Sequence, residues 1–174
     1  MTEFLKENFI WIAGIITAAK WIYEYSAKLR WEKSRFMLER IESLLQREST
    51  QQVHFMLDWN SIELDFDGRK VRVDDQMLFE ALQTHDIKDF FTRDEIKIRE
   101  LFDEYFDGLT EFLILDECGL VDKKDMNKFM KYWLDILSGE RSSKSEKLNG
   151  RISEYMLFYG FGKLHGFIRK KSYF

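Results

Sequence analysis

Proline is absent from this 174-residue chain, cysteine occurs once and histidine three times. Without proline no helix is interrupted by a missing amide donor, so long unbroken helices are favoured over a loop-rich or all-β architecture. The single Cys118 excludes an intrachain disulfide framework, and three histidines leave no zinc-ligand spacing; both fit a reduced, cytoplasmic body. No phosphate-cradling glycine loop, G-x-S-x-G elbow or metal motif occurs, and no cofactor is expected. A net charge of −4 excludes a general nucleic-acid-binding signature, and no DNA partner is expected. Apolar runs are also short. The uncharged stretch Phe9 to Ala19 (FIWIAGIITAA) has eleven residues, and as a helix it spans about 17 Å against a hydrocarbon core of about 30 Å.

What is present begins with that same stretch. Apolar character resumes beyond Lys20 at Trp21, Ile22, Tyr23 and Tyr25, then passes without a breaker into a charged helical segment ending near Gln46. Trp11, Trp21 and Tyr23 suit headgroup depth as interfacial anchors, and Lys20 has a stem long enough to snorkel. A buried core helix and a secretory signal are the alternatives. The second is disfavoured because Glu3, Lys6 and Glu7 make no positive n-region. We read residues 1–30 as a membrane anchor and 31–174 as one cytoplasmic helical domain, sized for a single core. Lys28, Arg30, Lys33, Arg35, Arg40 and Arg47 follow the apolar segment that ends at Tyr25, so the positive-inside rule puts the N-terminus outside a bacterial inner membrane crossed once.

Steps of three and four from Lys6 lead through Ile10, Ala13, Thr17, Lys20 and Glu24, a mostly polar or small stripe beside Gly14. Charges near hydrocarbon cost a few kcal/mol unless they face water, a partner or the interface. Two readings stay open: anchors of an oligomer turned toward each other or a pore, and charges that simply sit at the two interfaces.

Further along, SIELDFDGRKVRVDD alternates at Ile62, Leu64 and Phe66, turns at Asp67-Gly68 and alternates back at Val71 and Val73, which predicts a hairpin near 61–74. Such a hairpin must pack on helices or pair with a neighbouring subunit. Helices are expected from Asp75 to Thr84, after a Thr92-x-x-Glu95 capping box up to Gly119, and from Lys123 to Leu137. Residues 140–149 (ERSSKSEKLN) read as a linker-like loop, and the tail beyond reads as a final core helix with a basic end. The fold class is thus mainly α: a long N-terminal transmembrane and stalk helix, then a helical bundle with one inserted β-hairpin.

Arg47 and His54 form an R-E-x5-H arrangement similar to the R-x4-6-H signature of HEPN ribonucleases, where arginine stabilises phosphate charge and histidine moves protons. The plainer reading, an exposed stalk arginine and an ordinary histidine, is preferred, so no residue is assigned to catalysis and the chain is read as no enzyme. His85 and His165 read as loop or packing residues.

The anchor and stalk (WIAGIITAAKWIYEY, RWEKSRFMLERIESLL), Met56 to Trp59, the helical body and the degenerate Arg47/His54 pair resemble the membrane accessory proteins of type VI-B CRISPR antiphage systems. That resemblance implies an oligomeric inner-membrane pore that enhances defence alongside an RNA-guided effector, contacted directly or only functionally. The implied partners are other copies of the chain, the lipid bilayer and that effector. A membrane-tethered HEPN-like ribonuclease and a non-catalytic anchored scaffold are the alternatives.

Overall fold

A computed structural model describes the chain from Thr2 to Lys171, with side chains from residue 11 to 170 apart from residue 123. Eight helices and one hairpin follow in the order α1 (Thr2–Gln46), α2 (Glu48–Asp58), β1 (Ser61–Phe66), β2 (Arg69–Asp74), α3 (Asp75–Ala81), α4 (Arg93–Glu117), α5 (Lys123–Phe129), α6 (Lys131–Ser138), α7 (Glu146–Phe158) and α8 (Gly162–Lys171). The described fold is mainly helical with one two-stranded antiparallel sheet, as the hydrophobic periods imply.

α1 runs for 45 residues, about 68 Å at 1.5 Å per residue. Its two parts have different surroundings. From Ser34 onward it joins the body: the Ser34 hydroxyl donates to Asp125 at 2.7 Å, and Met37, Ile41 and Leu44 are buried. Upstream, the side chains of residues 11–25 are all exposed. No helix among the described residues is long and apolar enough to cross a membrane.

α4 is the centre of the body, contacting α2, α3, α5 and α8. Its N-terminus carries the expected capping box. The Thr92 hydroxyl accepts from the Glu95 amide, and the Glu95 carboxylate accepts from the Thr92 amide at 2.8 Å. Ile98, Phe102, Tyr105, Phe106 and Leu109 recur at helical spacing and are wholly buried. Each such side chain contributes roughly 1.5–3 kcal/mol through water exclusion. α1 and α4 come very close at Gly108, where an added Cβ would stand 2.4 Å from Leu44 Cδ1.

The hairpin pairs Ile62 with Val73 and Leu64 with Val71 around Asp67 and Gly68, both at positive φ (54° and 80°), the turn that suits strand twist. Leu64, Phe66 and Val73 face the helices, so its apolar side is covered within the chain.

Ser49 to Asp58, for which the sequence predicts no element, belongs to α2, where Val53, Met56 and Leu57 are buried and the helix packs on α4. Two other segments differ from their sequence reading. The single helix expected from Lys123 to Leu137 is two, meeting at Met130, whose backbone (φ −103°, ψ 13°) lies off the helical well while its side chain is fully buried. Residues 140–149 are loop only as far as Ser145, which caps α7 by accepting from the Leu148 amide. That loop is pinned: Lys144 has no side-chain exposure, and its ammonium donates to the Trp59 carbonyl and to Asp75, both at 2.6 Å.

Candidate functional site

The sequence pair Arg47 and His54 brackets two turns of α2, one residue preceding the helix and the other inside it. The two side chains have separate surroundings. Arg47 lies 3.9 Å from Glu111 across an exposed ion pair, whereas His54 is buried, its Nε2 3.2 Å from the Tyr105 hydroxyl and its ring stacked on Trp133 at 3.3 Å. Burial lowers the His54 pKa to about 3, so the imidazole is neutral near pH 7, and burial raises that of Tyr105. Near pH 7 the ring therefore has no imidazolium proton to give as a general acid, and its burial between Tyr105 and Trp133 keeps it from the surface where Arg47 lies. Among the described residues no contact joins Arg47 to His54.

The anchor residues can be placed individually. Ala13, Thr17, Lys20 and Glu24 are exposed on α1, and the side chain of Lys6 lies outside the described residues. Lys20 and Glu24 form an ion pair at 3.7 Å, and the Thr17 hydroxyl donates to the Ala13 carbonyl at 2.8 Å. Trp11 is 74% exposed, Trp21 and Tyr23 are similarly open, and Trp21 stacks on Tyr25 at 5.7 Å. The stripe is therefore partly self-satisfied, while its large apolar neighbours have no cover among the described residues.

A third cluster was not expected from sequence. Arg99 of α4 is buried, and its Nη1 donates to the carbonyls of Ala81 (2.9 Å) and Gln83 (2.7 Å), closing the end of α3. Its guanidinium lies over the rings of Phe91, Tyr159 and Tyr155 at 4.2, 4.8 and 5.0 Å. His85 meets the Tyr159 hydroxyl through its ring and through its amide at 3.2 Å, and Arg99 Nη2 lies 3.4 Å from His85 Nδ1. Asp103 accepts from Tyr155 at 2.7 Å; burial raises its pKa, against the lowering effects of that bond and of Arg99. Arg99, His85, Phe91, Tyr159 and Asp103 line an open cleft of about 510 Å³ with Asp89, Phe90, Ile96 and Glu100. The only trace in the sequence is an arginine placed among apolar positions of the α4 pattern, since the loop partners come from distant segments. Among the described residues no group of three or more His, Cys, Asp or Glu is arranged to hold a metal ion.

No protein-family model matches the chain, and no solved structure matches it. Over 113 residues it is similar, at 24% identity, to the RNA-directed RNA polymerase L of bovine ephemeral fever virus. The match covers 61% of this chain and 5% of the polymerase, so it shows no family and says nothing of this chain's activity.

Proposed function

We propose that the protein is a membrane-anchored, self-associating component of antiphage defence whose α1 helices line a pore. The observation that carries the reading is the projecting part of α1. Trp11, Ile12, Ile15, Ile16, Trp21 and Ile22 lie within twelve residues of one helix and are each more than half exposed. Contiguous apolar exposure of this kind marks a surface covered by lipid or protein. No helix among the described residues is long and apolar enough to cross a membrane, so the reading requires copies that associate. Copies that turn Thr17, Lys20 and Glu24 toward a shared axis keep those groups off lipid and leave the tryptophans and isoleucines outward. Charged rings and apolar constrictions on such an axis are the elements of selective, gated conduction. The outward N-terminus, the bacterial inner membrane and the link to an RNA-guided effector come from charge asymmetry and the family resemblance. The ribonuclease alternative is disfavoured by geometry: His54 is buried against Tyr105 and Trp133, away from Arg47 on its exposed pair with Glu111.

The test is dye release from vesicles of bacterial lipid reconstituted with the full chain, run beside flotation of the same samples. We expect the chain to float and to release dye, with Thr17→Leu/Lys20→Leu floating but releasing little. A chain that stays out of the lipid fraction overturns the anchor, and one that floats without release overturns the pore.

A further inference from the structure

We propose that the ridge Thr84–Phe91 and the clefts on either side of it are the docking surface for the basic segment Lys28–Arg40 of a second copy of the chain. The inference rests on the self-association read above and supplies its contact.

The ridge separates two open clefts. One, of about 510 Å³, holds His85, Phe91 and Tyr159, and the other, of about 430 Å³, is lined by Thr84, Ile87, Leu157 and Phe158. Its crest is apolar and uncovered: Phe90 is 79% exposed and Ile87 more than half, and Ile96 of α4 and Leu157 and Phe158 of α7, beside the clefts, are near or above half. Ile87 and Phe90 are presented by an ordered ridge. The amides of Ile87 and Lys88 both donate to the Thr84 carbonyl at 3.0 Å, Lys88 pairs with Glu95 at 2.7 Å, and His85 is tied to Tyr159. An apolar centre held rigidly before contact has the anatomy of an interface and loses little entropy when covered.

Charge identifies the occupant. Five carboxylates line the two clefts (Asp86, Asp89, Glu100, Asp103, Glu154); Glu100 pairs with Lys97, Glu154 with Arg151, and Asp103 accepts from Tyr155, which leaves Asp86 and Asp89 as the acidic pair of the ridge. Asp86 and Asp89 have no ion-pair partner among the described residues. A two-fold contact of this face with itself would bring Asp86 and Asp89 of both copies together without a cation for either, and is disfavoured. Lys28–Arg40 is its complement, with five cations against two glutamates; Arg30 and Lys33 have no ion-pair partner among the described residues, and Trp31 and Leu38, seven residues apart, are exposed. A contact between two different faces is head-to-tail, and copies joined in that way close into a ring when the rotation allows. The ring places the α1 helices around one axis.

The experiment uses the full chain in detergent, with mass measured by light scattering corrected for bound detergent. Asp86→Lys/Asp89→Lys and Arg30→Glu/Lys33→Glu should each lose the oligomer, and the variant combining all four should regain it. In a Cys118→Ser background, a short bismaleimide should join Trp31→Cys of one tagged copy to Phe90→Cys of a differently tagged copy. Charge-reversed variants that keep the wild-type mass, a combined variant that folds by circular dichroism yet stays monomeric, or absence of the cross-link in an intact oligomer overturns this contact while self-association stands. A monomeric wild-type chain overturns both.

Discussion

Replacing Lys144 tests whether the loop between α6 and α7 is a fixed part of the body. Its ammonium is shut off from water and makes two bonds of 2.6 Å, to the Trp59 carbonyl and to Asp75. Charge-assisted bonds contribute about 1.5–3 kcal/mol each, and removing one member of a buried pair typically costs about 3–5 kcal/mol in all. Asp75 retains part of its hydration, so the lower end of that range, about 3 kcal/mol, is expected for Lys144→Ala. For a chain of this size that corresponds to a drop in Tm of roughly 6–12 °C. Lys144→Met keeps the buried stem and should recover the packing part of the loss, leaving about 2 kcal/mol. Thermal unfolding followed at 222 nm measures both. A shift under about 2 °C for Lys144→Ala would refute the claim that this lysine fastens the loop to the hairpin end of the body.

His54 makes the body acid-sensitive. Its folded pKa of about 3 lies below the ordinary value of 6.5, so the unfolded chain binds the extra proton. The stability this provides is complete above pH 6.5 and is lost as pH falls from there toward 3, by at most about 1.4 kcal/mol per unit. Denaturant midpoints from pH 7 to pH 4 should fall for the wild type and flatten in His54→Phe; parallel slopes would contradict the assignment. Gly108→Val should destabilise by about 1–3 kcal/mol, because its Cβ would drive into Leu44, itself buried, and urea melts with an unchanged midpoint would show that α1 can shift.

Local signals carried the hairpin and α4. Asp-Gly between alternating runs, and a capping box before a long periodic stretch, are chemistry contained within a few residues, and both formed where the pattern put them. α2 was hidden because its amphipathic face is defined only against α4. Lys144 was hidden for a related reason: a lysine among serines and glutamates looks solvated until Asp75 and Trp59, far away in sequence, close over it. Arg99 shows the same limit at the cleft, where the rings that hold it come from the loop before α4 and from α7 and its C-terminal end. Sequence placed Arg47 and His54 two helical turns apart, but only the packing shows that one is exposed and the other sealed.

The unbroken course of α1 has a mechanical meaning. One rod, free of proline, begins among exposed tryptophans and ends with Leu44 wedged against Gly108 at the middle of the central helix. With no proline to kink it, the helix can bend only gently, so a tilt at the far end is passed along the rod toward that wedge rather than taken up at one sharp joint.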